Sequence, residues 1–204
     1  MIAAVWVTLA AVVLLVTLEA TASRWRLPAK MLASSGFVAV ALLGGATETP
    51  FGMWLLIGLA LSWLGDVLLS RPRAFLGGLV AFLLAHVAYG IGFLVRGVGA
   101  EAIGAGLVVA VIAAAAWRWL RPHLGGMRTP VAAYVLVISV MLVLAVGASF
   151  ASNDWRIGLG AGAFFLSDLA VARDRFVTPG IVNRLWGLPL YYAGQLLLAL
   201  AAGT

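Results

Sequence analysis

Apolar positions run along this chain in long unbroken blocks, without the period of about two or 3.6 residues that marks a half-buried strand or helix. Eight blocks predict helices: Ile2 to Ala20, Met31 to Ala46, Phe51 to Ser70, Phe75 to Val95, Ala102 to Leu120, Val131 to Phe150, Trp155 to Val171 and Pro179 to Ala202. Most approach the roughly 20 residues that a helix needs to cross a bilayer. Breakers fall between them: Pro28 and Pro130 sit in first helical turns, Gly44-Gly45 follows a block, and Thr178-Pro179 predicts an N-cap and N1 pair. The first block has no basic residue ahead of it, so it is read as a span and not as a cleavable signal. The expected fold is an all-α integral membrane domain of eight transmembrane helices filling residues 1–204.

Composition supports that reading. Of the residues, 64% are apolar and 10% charged, whereas soluble domains carry about 25% charge. With no Cys, disulfides, thiolate metal sites and a cysteine nucleophile are excluded. Thirteen Lys and Arg against seven Asp and Glu leave a net charge of +6, and where the cations fall matters more than their sum. Eight spans put Arg24, Arg26, Lys30, Arg71, Arg73, Arg118, Arg121, Arg128, Arg173, Arg175 and Arg184 on one side, and Arg96 and Arg156 on the other. By the positive-inside rule the first side is cytoplasmic and both termini lie outside. The excess therefore orients a multi-pass protein in the cell's inner, plasma membrane, and no nucleic-acid partner is implied.

Residues 1–102 laid over 103–204 without gaps are identical at twenty-two positions. Several matches are common apolar residues, but Arg26 with Arg128, Pro28 with Pro130, Gly58 with Gly160, Asp66 with Asp168, Arg71 with Arg173 and Tyr89 with Tyr191 are not. Four helices return the chain to the same side, so the halves are expected to be parallel repeats about an axis along the membrane normal.

Intramembrane charges cost about 2.5 to 3.5 kcal/mol on insertion scales and ask for a partner or a job. Asp66 and Asp168 lie at equivalent depths near the cytoplasmic ends of helices three and seven. Glu19, Lys30, Tyr134, Arg173 and Arg184 stand at a similar level, with His86, Tyr89, Tyr191, Tyr192 and Gln195 deeper. The external half has almost no such groups, which predicts a pocket opening toward the cytoplasmic leaflet with apolar walls for an acyl chain. On the structural alternative, each aspartate merely pairs with Arg71, Arg73, Arg173 or Arg175 about a turn away. Two histidines, His86 and His123, at very different depths do not make a three-His zinc site, so no metal or other cofactor is expected. Arg24-Trp25-Arg26 and Trp117-Arg118-Trp119 read as interfacial anchors.

These segments resemble the YhhN family of bacterial membrane proteins, related to the animal transmembrane lysoplasmalogenases. The resemblance is carried by Pro28-Ala29-Lys30, Leu64-Gly65-Asp66, Phe75 to Gly78 with Phe82, His86 and Tyr89, Tyr134 and Met141, Phe164 to Asp168, and Arg184 with Gly187-Leu188-Pro189-Leu190-Tyr191-Tyr192-Ala193-Gly194-Gln195. Met31 departs from the Lys-Pro pattern of the family. The resemblance implies hydrolysis of the vinyl ether of a lysoplasmalogen, giving a fatty aldehyde and a glycerophospho-headgroup. The two aspartates suit that chemistry: one carboxylic acid protonates the β-carbon, and an opposed carboxylate stabilises the oxocarbenium ion or activates water. Asp66 and Asp168 are thus the expected catalytic pair, and Lys30 and Arg184 the expected phosphate contacts. His86, Tyr89, Tyr134, Tyr191, Tyr192 and Gln195 are expected to bind substrate, with His86, Tyr191, Tyr192 and Gln195 lining the deeper pocket. Two other classes fit parts of the pattern: a proton-coupled lipid or small-molecule transporter, for which repeats and buried carboxylates also speak, and a non-catalytic scaffold.

Overall fold

The computed structural model describes residues 1–21 and 23–204, and among them the only long elements are eight helices, with no strand. They are α1 (Ile2–Ala20), α2 (Arg26–Leu43), α3 (Pro50–Leu69), α4 (Phe75–Arg96), α5 (Glu101–Leu120), α6 (Arg128–Ser152), α7 (Trp155–Ala172) and α8 (Ile181–Ala201). Seven are long and apolar enough to cross a membrane. The exception is α8, in which Asn183, Arg184, Tyr191, Tyr192 and Gln195 interrupt the apolar run. All but Arg184 of these polar residues are buried, so the hydropathy that α8 lacks reflects protein neighbours in place of lipid. The outward faces of the other helices carry large apolar side chains such as Trp6, Val13, Leu107, Val111 and Leu159, as a multi-pass membrane protein requires.

Helix boundaries follow local chemistry. The Thr49 hydroxyl accepts the Gly52 N–H at 3.0 Å and Pro50 opens α3 at its first position, where a missing N–H costs nothing. Thr178-Pro179, expected to do the same for α8, does not. Thr178 is extended, and α8 begins at Ile181 behind Gly180. The reason lies in Asp174 and Asn183: the Asp174 carboxylate accepts the Gly180 N–H at 2.8 Å, and the Asn183 amide donates to the Thr178 carbonyl at 2.8 Å. These bonds satisfy the connection before the helix starts. Ahead of it, α7 runs into a π-helical turn, Arg173–Val177. Helix α2 starts at Arg26, five residues before the predicted Met31, so Lys30 lies on the helix and not ahead of it.

On the other side of the array, Asp154 caps α7 by accepting the Arg156 N–H, and takes both Nε and Nη2 of the Arg156 guanidinium. Burial alone would push the Asp154 carboxyl up, but the Arg156 hydrogen bonds and the charges of Arg156 and Arg96 hold it below the usual carboxylate range.

The packing order has a pattern. Helix α3 lies along α4 as α7 lies along α8, α1 along α2 as α5 along α6, and α2 against α3 as α6 against α7; between halves, α4 meets α6 and α8 meets α2. Glycines set the closest of these approaches. A Cβ on Gly58 would stand 2.4 Å from the Tyr89 ring, and one on Gly65 2.6 Å from the Phe82 ring. Bare backbone on α3 therefore admits the aromatic face of α4, and Gly65 brings Phe82 up beside Asp66.

Candidate active site

Asp66 ends the buried face of α3, 2% exposed. Lys30 Nζ, from α2, stands 3.0 Å from its Oδ1. Its Oδ2 accepts two hydroxyls at 2.7 Å, Ser34 from α2 and Tyr191 from α8. Lys30 and Ser34 are four residues apart, hence on one face of α2. One ammonium and two O–H donors make a site built for an ionised carboxylate, which only accepts.

Asp168, near the end of α7, has a different setting. Tyr134 of α6 donates to its Oδ2 at 2.7 Å, and His86 Nε2 of α4 lies 3.6 Å from the same oxygen. His86 Nδ1 is 2.6 Å from the Phe82 carbonyl. A carbonyl only accepts, so Nδ1 carries the hydrogen, and Nε2 is the ring atom turned toward Asp168. A single proton between Nε2 and Oδ2 would serve both atoms; without it His86 Nε2 has no hydrogen-bond partner.

The four partner helices repeat a scheme. Asp66 on α3 is held by α2 of its own half and α8 of the other, while Asp168 on α7 is held by α6 of its own half and α4 of the other. Neither aspartate pairs with Arg71, Arg73, Arg173 or Arg175 among the described residues. Arg173 instead donates to Asn183, and the Arg175 guanidinium lies over the Phe75 ring at 4.3 Å.

Both aspartates open onto one cavity of about 760 Å³, within the usual range for a small-molecule site. Of the other expected residues, Lys30, Tyr134, Tyr191 and Arg184 border it, and His86, Tyr89, Tyr192 and Gln195 do not. The deeper pocket is therefore narrower in membership than expected, because hydrogen bonds draw the missing four into helix seams. Tyr89 donates to the Gln195 carbonyl oxygen at 2.6 Å, Tyr192 is 3.0 Å from Ser34 and donates to the Lys30 carbonyl at 3.3 Å, and His86 backs Asp168. The Phe82, Phe164 and Tyr191 rings meet edge to face at 5.5 to 6.0 Å, joining Tyr191, which holds Asp66, to Phe164, which packs on the His86 ring beside Asp168. At the mouth Arg184 binds Glu19 at 3.0 Å and approaches Asp174 at 3.5 Å, and Arg26 also reaches Glu19. Arg24, Arg71 and Arg175 border the same opening, and among the described residues none of the three has a carboxylate partner.

Sequence reasoning passed over Ser34 and Asn183. The i, i+4 spacing from Lys30 was the available signal for Ser34. Nothing local marks Asn183, whose partners arise from the fold of the α7–α8 connection. Among the described residues no group of three His, Asp or Glu is placed to hold a metal ion.

Comparison with known proteins adds a family. The profile described as the YhhN family matches residues 25–202. Lysoplasmalogenase TMEM86A of Bos taurus is 31% identical, covering 78% of this chain and 69% of its own length. Lysoplasmalogenase of Mycobacterium tuberculosis is 34% identical over 76% of this chain and 62% of its own, and Lysoplasmalogenase TMEM86B of Rattus norvegicus 37% identical over 73% and 61%. No solved structure matches the chain.

Proposed function

We propose, from the premise that this chain belongs to the YhhN family, that it is a membrane hydrolase cleaving the vinyl ether bond of lysoplasmalogens, with Asp66 and Asp168 as its acid/base pair. The observation that carries the reading is two carboxylates in one cavity with unlike partners, one beside an ammonium and one beside an imidazole. The names of its relatives point to the same bond.

Asp168 supplies the proton to the β-carbon of the alkenyl group, from the store it shares with His86. The resulting oxocarbenium ion faces Asp66, whose charge Lys30, Ser34 and Tyr191 hold in place. Water then adds to the α-carbon, giving its proton to Asp66. The hemiacetal collapses as Asp66 returns that proton to the departing glycerol oxygen and Asp168 takes the hemiacetal hydroxyl proton, which releases a fatty aldehyde and the free glycerol hydroxyl and restores both carboxyl groups. Glycosidases divide labour between two carboxyl groups in a related way, by analogy only. Tyr134 and Tyr191 orient the carboxylates at the cavity wall, while His86, Tyr89, Tyr192 and Gln195 position these groups from behind. The phosphate of the substrate sits at the cationic mouth with Arg184, and Lys30 reaches that side only as far as its bond to Asp66 allows. No cofactor enters this scheme.

The test is purified protein against single-chain lipids with vinyl ether, alkyl ether and ester linkages, and a vinyl ether lacking the phosphate. Aldehyde should appear from the vinyl ethers alone, with a raised KM for the phosphate-free compound. Release of fatty acid from the ester as the main activity would refute the reading, and substrate passing unchanged across a vesicle wall would favour a carrier.

The orientation proposed is eight spans with both ends outside, parallel halves 1–102 and 103–204, and the cavity mouth facing the cytoplasm of a cell bounded by this inner, plasma membrane. The crosswise support of Asp66 and Asp168 and the matched packing of the two halves support the repeat, and the eleven-to-two distribution of basic residues supports the orientation. A cysteine introduced near residue 2 should react with an impermeant thiol reagent on intact cells, and one at His123 should not; the reverse labelling would invert the topology.

A further inference from the structure

The two halves differ in one respect. Helix α1 packs against α8 as well as α2 and contributes Ala11, Val12 and Leu15 to the main apolar core, whereas α5, its counterpart, packs on α6 and on the π-helical turn but not along α4. No α5 residue belongs to that core. The end of α5 instead joins a separate apolar cluster through Leu120, with Leu124, Val131 and Phe176. Residues of both clusters line the cavity, Leu79 of α4 and Ala116 and Leu120 of α5 also border it, and these two helices do not pack along each other. Val131, Val135 and Ile138 of α6 complete an apolar lining that leads away from the charged mouth.

We propose that this gap between α4 and α5 is the acyl-chain site and its lateral entrance, through which a single-chain lipid passes from the cytoplasmic leaflet with its chain between Leu79 and Ala116. It rests on the reading of the protein as a lipid hydrolase and names where the chain lies. The chemistry favours one aliphatic chain: Leu79, Ala116, Leu120, Val131, Val135 and Ile138 offer no polar side chain, and the Arg175 guanidinium, over the Phe75 ring that opens α4, puts charge at the start of α4. Among the long helices α5 packs along α6 alone, so the gap opens onto lipid and not onto another helix of this chain. The same position in the first half is closed by the contact of α1 with α8.

Ala116→Trp fills the gap from a helix outside the main core, where added bulk displaces little. Binding of non-hydrolysable 1-alkyl lysophosphocholines to the purified protein should then show at least a tenfold weaker dissociation constant for an 18-carbon chain, with less than a twofold change for a six-carbon chain. Leu79→Trp, from the facing helix, should give the same split, and Leu107→Trp, on the lipid-facing side of α5, should change neither. Equal weakening for both chains, or none, in the folded Ala116→Trp and Leu79→Trp proteins would overturn the site. Because the readout is binding, a chain-length split in a protein that releases no aldehyde would refute the proposed activity and leave the site standing. Aldehyde release with no split would do the opposite.

Discussion

Asp168→Asn should remove nearly all aldehyde release, by about 10² to 10⁴-fold, the usual worth of a general acid, and should cost the protein less stability than the same change at Asp66. The amide is the same shape as the carboxyl. Both partners face the same carboxylate oxygen, so the amide can turn there either its oxygen to the Tyr134 hydroxyl or its NH₂ to His86 Nε2, and one of the two neutral contacts is lost. What is lost is the transferable proton and one neutral contact, with no charge left stranded. Asp66→Asn should reduce turnover by a similar factor but also lower thermal stability, because Lys30 loses its counter-charge and Ser34 and Tyr191 one strong acceptor. A folded Asp168→Asn protein retaining more than about a tenth of its rate would assign both aspartates to structure alone. The contrast in stability separates the two roles independently of activity.

Much of this was legible before any coordinates. The long helices α1, α3, α4 and α5 begin and end within a residue of the apolar blocks, since span length and Gly or Pro punctuation decide them. Helix α2 was misjudged because Arg26 and Lys30 read as loop charge, whereas a lysine whose partner lies on the neighbouring helix is compatible with a helical position. Thr178-Pro179 has the composition of a cap, but long-range bonds from Asp174 and Asn183 settled that connection first. The π-helical turn has no local sequence signature of its own.

The site divides the same way. Two aspartates at a 102-residue offset were visible in the chain, as was the polar level around them. The partners that cross between halves were not: Tyr191 is 125 residues from Asp66, and His86 sits on α4 against Asp168 on α7. Depth along a helix predicted His86, Tyr192 and Gln195 as pocket walls, but depth does not give the face of the helix. Hydrogen-bond partners in the seams decided that instead.

Lys30 provides the second large effect. As a phosphate anchor at the helix end it would contribute uniform binding, and its removal would raise KM and leave kcat and stability nearly alone. Its ammonium is instead 3.0 Å from a carboxylate that is almost fully buried. Breaking a buried pair by deleting one partner typically costs about 3 to 5 kcal/mol, and the partial exposure of Lys30, 18% of its side chain, places the expected loss at the lower end, about 3 kcal/mol. Lys30→Met should therefore lower the unfolding temperature in detergent and abolish turnover together, because Asp66 can no longer hold its charge opposite the reacting carbon. Adding Asp66→Asn to Lys30→Met removes the stranded charge, so the double variant should recover most of the lost stability and none of the activity. Stability effects that simply add in this cycle would mean that the two side chains do not interact, and a Lys30→Met protein with normal kcat and a raised KM would return Lys30 to the headgroup.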